Sequence, residues 1–195
     1  MKLNCVDSIF FDLDGTLWDC YEVLKKFWKI NHGIDFKKSY LGMDLQEMSQ
    51  AIGLSQETIQ STQEKENQFI SKESPKIYDG VVYGIQELSQ NYKLFIVSNC
   101  QKGYIDVFLQ KTGLSGFITD FKYSENSKSK NIQDLIDKYK LKNPIMLGDT
   151  KSDLNAANDN NITFIQAEYG FGKFFHKYRV SSFRNFLKTV EDKKL

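Results

Sequence analysis

The chain has 195 residues, with 26 Lys and Arg against 25 Asp and Glu and a formal net charge of +1. That length suits one domain, or one core with a modest insertion, and is enough to bury a hydrophobic core. The charge balance leaves no basic footprint for nucleic acid or for an anionic membrane, which turns attention to small molecules.

The segment from Leu3 to Leu13 alternates and then runs apolar before Asp14-Gly15, which predicts a buried first strand ending at a turn. Tyr21, Leu24, Phe27 and Trp28 fall at helical spacing, with Phe27 and Trp28 expected in the core and Gly33 as the stop. Asp44 followed by Glu47 resembles a capping box that opens a helix through Ile52. Ser55 to Lys72 is polar and free of Gly and Pro, as in a solvated helix, so everything from Trp18 to Ser74 is expected to be helix without strand.

Pro75 marks a change of grammar. A helix around Ile85 and Leu88 precedes a strand, Leu94 to Val97, and a helix carrying Ile105, Phe108 and Leu109 ends at Gly113. Phe117 to Tyr123 gives a weaker strand, and Ile132, Leu135, Ile136 and Tyr139 define the next helix. Ile145 to Leu147, a helix through Leu154, Ala156 and Ala157, and the strand Ile162 to Ile165 follow. Strands alternating with helices predict an α/β fold, a doubly wound, Rossmann-like parallel sheet with a small all-helical insertion after the first strand. The core is assigned to residues 1–16 and 76–195 and the insertion to 17–75.

The longest purely apolar run is Leu94 to Val97, so no membrane span is expected, and no signal-peptide h-region opens the chain. Cys5, Cys20 and Cys100 are scattered and few histidines accompany them. They are read as core filler rather than a disulfide framework or zinc site, which fits the reducing cytoplasm. His32 and His176 are expected at the surface or in the insertion, not as ligands.

A doubly wound sheet binds ligands beyond the carboxyl ends of its strands. Asp12, Asp14 and Thr16 follow the first strand, Ser98 and Asn99 the second, and Gly148, Asp149, Thr150 and Asp153 a later one. Carboxylates gathered at one mouth repel one another unless a cation joins them, and oxygen ligands without thiolate or imidazole favour Mg²⁺. Not every Asp is then needed as a ligand, and one facing phosphorus can act as a nucleophile. An EF-hand is excluded, because the glycine comes too early and Val23 stands at the twelfth loop position.

Phe10-Phe11-Asp12-Leu13-Asp14-Gly15-Thr16, Ile96-Val97-Ser98-Asn99, a lysine near position 128 and Gly148-Asp149-Thr150-Lys151-Ser152-Asp153 resemble, in order, the four motifs of the haloacid dehalogenase superfamily. The helical stretch sits where the phosphoglycolate-phosphatase-like subgroup carries its small helical cap. The resemblance implies Asp12 as a nucleophile forming a phosphoaspartate and Asp14 as general acid and base. Asp12, the Asp14 carbonyl, Asp149 and Asp153 would surround Mg²⁺, Thr16 would position Asp14 or the phosphoryl group, and Ser98 and Asn99 would bind phosphoryl oxygens. Lys128 is preferred to Lys130 as the active-site lysine. One of Trp18 and Asp19 would face substrate, and Tyr169 to Lys173 would form a turn near the site.

The implied activity is a Mg²⁺-dependent phosphatase acting on a small phosphorylated metabolite. A sugar phosphomutase of the same superfamily and a non-catalytic phosphate-binding relative remain as alternatives. A true dehalogenase lacks an acid at the position of Asp14, and a receiver domain carries its aspartate after a middle strand. A homodimer is possible through an aromatic residue exposed on the insertion.

Overall fold

The computed structural model describes residues 5–43 and 45–192. Four consecutive buried residues, Ser8–Phe11, form strand β1 at the centre of a six-stranded sheet. The strand is shorter than the sequence predicts, because Leu13 already belongs to a turn. Its carbonyl accepts the amides of Thr16, Leu17 and Trp18. Leu3 lies outside the described residues.

Trp18–Asp19 forms a two-residue strand, β2, followed by helices α1 (Tyr21–His32), α2 (Leu45–Ile52) and α3 (Gln56–Lys72). Strand β3 (Lys76–Ile77) then pairs antiparallel with β2. This corrects the expectation that no strand lies near the insertion: a two-residue ribbon is too short to leave a periodic signature. Asp44, the predicted cap of α2, lies outside the described residues. Helix α3 is also less solvated than its composition suggests, since Ile59, Thr62, Glu66 and Ile70 are buried along one stripe.

The remaining elements alternate as expected: α4 (Val81–Ser89), β4 (Lys93–Val97), α5 (Tyr104–Thr112), β5 (Asp120–Lys122), α6 (Lys128–Tyr139), β6 (Pro144–Gly148), α7 (Lys151–Asp159) and β7 (Thr163–Ala167). Two more, β8 (Arg179–Val180) and α8 (Phe183–Glu191), extend the fold beyond the predicted elements. The weak strand contracts to β5 because Phe117 is taken into a turn, its amide bonded to the Leu114 carbonyl.

The sheet runs β5-β4-β1-β6-β7-β8, all neighbours parallel. Alternation of side chains divides its core into two faces. Ile9, Phe11, Leu94, Ile96, Ile145 and Leu147 pack with α4, α5 and α8, where Phe11 meets Phe183 and Phe186 at ring separations of 6.0 and 5.9 Å. Phe10, Phe95, Val97 and Met146 pack with α6 and α7, and Phe10 stacks on Phe95 at 5.0 Å. Chain order reverses at β1, which lies between β4 and β6, and this switch point opens the crevice at their carboxyl ends.

In the helical segment, Phe27 and Trp28 are core residues as expected, and Trp28 stacks on Phe36 at 6.1 Å. Cys20 is buried and Cys100 partly so, while Cys5 is exposed and fills no core. Among the described residues no helix is long and apolar enough to cross a membrane.

Candidate active site

Beyond β1, Asp12 and Asp14 leave the strand on a turn whose Gly15 adopts φ of +87°. A Cβ at Gly15 would strike the Asp149 carboxylate, so the first turn and the end of β6 approach at a distance only glycine permits. Asp12, Asp149 and Asp153 are all nearly or fully buried, and one carboxylate oxygen from each lies within 4.8 Å of the others.

Lys128, at the first turn of α6, reaches into this cluster. Its Nζ donates to Asp12 Oδ1 at 2.7 Å and to Asp153 Oδ1 at 2.6 Å, with the lysine 5% exposed. Burial works against its charge, but the two carboxylates outweigh it and raise its pKa. Lys130, the other candidate, is exposed and pairs with Asp134 on its own helix. The choice between the lysines is thus one of location: the site contains Lys128.

Asp153 is fixed by the start of α7. Its Oδ2 accepts the Thr150 amide at 2.9 Å and the Thr150 hydroxyl at 2.8 Å, a reciprocal cap of that helix. Asp149 Oδ2 accepts the amides of Phe171 and Gly172, at 2.6 and 3.2 Å, so the Tyr169 to Lys173 segment does turn near the site. Its other oxygen, Oδ1, is buried without a hydrogen-bond partner among the described residues. Burial, followed by the charges of Asp12 and Asp153, raises the Asp149 pKa well above the usual carboxylate range. Asp12 is raised by burial and by Asp153 despite Lys128.

An orphaned carboxylate oxygen beside two further buried carboxylates, with one ammonium among three acids, is the donor set a hard divalent cation satisfies. Asp12, Asp149 and Asp153 therefore fit a metal. The Asp14 carboxylate does not join that trio. Its Oδ1 accepts the Tyr104 hydroxyl at 2.9 Å, and burial followed by the charge of Asp12 raises its pKa to about 8.

Ser98 and Asn99 follow β4 and line the same cavity as Asp12 and Asp14. Ser98 Oγ accepts the Cys100 amide at 3.3 Å, whereas Asn99 Nδ2 donates to the Gly42 carbonyl at 2.8 Å and so ties the helical segment to the core. Thr16 is buried and its hydroxyl has no partner among the described residues, but it is not part of the cavity lining. Trp18 does not face the cavity either. It is fully buried against Tyr104 and Phe108, and Asp19 accepts the Tyr21 amide at the start of α1.

Residues not singled out by sequence complete the cavity, Tyr104 and Gln101 from the core side and Phe36, Tyr40 and Glu66 from the helical segment, and Trp28, expected only in the core, lines it as well. Glu66 was detectable in principle, because it occupies a core position in the stripe of Ile59, Thr62 and Ile70. Tyr104 carries no such signal, since an aromatic opening a helix reads as packing.

Among solved structures, a predicted phosphatase from Clostridium acetobutylicum superimposes with a TM-score of 0.81 at 21% identity, covering 96% of this chain and 99% of that one. A haloacid dehalogenase-like family protein from Streptococcus pneumoniae, SP0104, gives 0.77 at 20% identity, with coverages of 94% and 97%. CbbY from Rhodobacter sphaeroides, a mutant in complex with xylulose-1,5-bisphosphate, gives 0.76 at 11% identity, with coverages of 91% and 95%. These likenesses establish the fold. No curated protein matches the sequence. The model of the haloacid dehalogenase-like hydrolases matches residues 9–167, spanning both aspartates of the first turn, Lys128 and the acids after β6, and the chain belongs to that family.

Proposed function

We propose that the chain is a Mg²⁺-dependent phosphomonoesterase that works through an aspartyl-phosphate at Asp12. The observation that carries this reading is the contact of Lys128 with both Asp12 and Asp153 beside the orphaned Asp149 oxygen, with Asp14 held apart on Tyr104. Two carboxylates in different electrostatic settings support a reading in which one attacks and the other transfers the proton.

In the first step a carboxylate oxygen of Asp12 forms a bond to phosphorus while the bond from phosphorus to the ester oxygen breaks. Protonated Asp14 gives its proton to the departing alcohol. In the second step Asp14, now ionised, takes a proton from water, the water oxygen bonds to phosphorus as the bond from phosphorus to the Asp12 oxygen breaks, and inorganic phosphate leaves with Asp12 again a carboxylate. Lys128 stays charged throughout and offsets negative charge on the transferring group. Asp12, Asp149 and Asp153, with the Asp14 carbonyl, would hold Mg²⁺, which would supply charge neutralisation for the phosphoryl oxygens. Ser98 and the Asn99 amide are assigned to phosphoryl oxygens.

The test is phosphate release from a generic aryl phosphate. Release is expected with Mg²⁺, loss after chelation and recovery when Mg²⁺ is returned; an enzyme inert in every condition refutes the proposal.

Asp14 must be protonated to act as the acid, and its raised pKa of about 8 keeps it so at neutral pH. Activity should therefore fall as pH rises past that value. Tyr104→Phe removes a hydrogen bond that favours the ionised form, so the alkaline limb of kcat/KM should move up, by about one pH unit for a bond of this kind. An unmoved limb would assign it to another group.

A further inference from the structure

Glu66 is 7% exposed on α3, yet none of the ion pairs among the described residues includes it. Its Oε1 accepts Gln101 Nε2 at 2.8 Å. Burying a carboxylate without a cation is costly and pushes the Glu66 pKa up to about 7, a cost that an ammonium beside it would relieve, whereas packing of the helical segment would be served equally by an apolar residue in the same stripe.

The surroundings say what this acid faces. Glu66 lines the cavity that Asp12 and Asp14 line from the core, and it is near enough to Asp14 for its charge to be felt there. The cavity measures about 80 Å³, room for a few water-sized groups. Trp28, Phe36, Tyr40 and Tyr104 supply aromatic walls, and the described lining residues include no Lys, Arg or His. The nearby cation at the phosphoryl end, Lys128, is already engaged by Asp12 and Asp153.

A leaving group with a carboxylate or a second phosphate would meet Glu66 with no opposing charge and lose its hydration for nothing. An ammonium would meet a carboxylate in an aromatic-walled space that holds no competing cation. We propose that this cavity selects phosphate monoesters of small amino alcohols, with the ammonium seated at Glu66, and rejects esters whose alcohol is anionic. The inference rests on the phosphomonoesterase reading and adds the substrate class to it.

The competing role for Glu66 is purely structural, as a latch to Gln101, and substrate ratios separate the two. With Mg²⁺ at neutral pH, kcat/KM would be compared for 2-aminoethyl, 2-hydroxyethyl and carboxymethyl phosphates. The amine is expected to exceed the hydroxyl ester by at least about tenfold, a difference of about 1.4 kcal/mol, and the carboxylate ester by more. Glu66→Gln should bring the amine and hydroxyl esters to near parity, whereas a latch would lower all three together. Carboxymethyl phosphate turned over as well as the amine by the native enzyme, or an amine preference that survives Glu66→Gln, overturns the inference. Should Glu66→Gln fail a thermal-melt check of folding, the native ratios decide alone. Aryl phosphate run alongside separates the failures. Hydrolysis of it without amine preference refutes the substrate class, and no hydrolysis of any ester refutes the phosphatase reading and this inference with it.

Discussion

Asp12→Asn is expected to lower Mg²⁺-dependent phosphate release by at least about 10⁴-fold, the scale on which loss of an enzyme nucleophile is felt. The amide matches the carboxylate in shape but has no anionic oxygen to attack phosphorus. It also keeps an oxygen that can accept from Lys128 Nζ, which now stands 2.7 Å from Asp12 Oδ1, so the fold should survive. Steady-state release from an aryl phosphate, beside a thermal melt, is the check. A variant that retains its melt and more than about a tenth of its activity would show that another group attacks phosphorus, because a covalent step at Asp12 cannot leave so much.

Lys128→Ala should damage both stability and rate. The ammonium offsets two buried carboxylates, and removing one partner of a buried charge cluster costs about 3–5 kcal/mol, because the remaining charges stay buried and unpaired. Asp12, whose pKa is already raised by burial and by Asp153, would rise further without the lysine. A group with a raised folded-state pKa binds more protons folded than unfolded, so its contribution to stability is lost as pH rises through that pKa. The deficit of the variant, measured by denaturant unfolding in a chelator, should therefore widen from about pH 5 to about pH 8. A deficit that narrows over that interval would contradict the charge assignment. On the proposed mechanism kcat should also fall by about 10²- to 10³-fold, the scale for losing one preorganised electrostatic contact.

What the sequence discloses about this molecule follows the range of the forces involved. The parallel sheet was legible because strands buried on both faces read as short apolar runs, such as Leu94 to Val97, between helices with clear periodicity. The acids were legible because they stand at strand ends in a fixed order. Lys128 was separable from Lys130 only by a local spacing, and it is the long-range contact with Asp12, 116 positions earlier, that distinguishes them physically. The ribbon of β2 and β3 is too brief for any pattern. Helix α8 does carry one, Phe183, Phe186, Leu187 and Val190 at helical spacing, and its periodicity would have supported a prediction. The cavity walls were the least legible part, because Gln101 and Tyr104, in the turn that opens α5, meet Glu66 of α3 only through the way the helical segment packs against α5.

The ribbon at the root of the helical segment also bears on timing. Trp18 and Asp19 begin only four residues after Asp14, the Gly15 amide donates to the Trp18 carbonyl at 2.9 Å, and the Tyr78 amide, just past β3, donates to the carbonyl of Leu17. Any swing of the helices about these two short strands would thus be transmitted to the loop that carries Asp14, with almost no slack in the chain between them. A leaving group that fills the space under the helices would set the angle of that loop, and one too small to fill it would leave the proton badly aimed. Truncation of the alcohol should then slow turnover of the bound ester more than it weakens capture, so that occupancy of the outer half of the site is expressed in the rate of the chemical step.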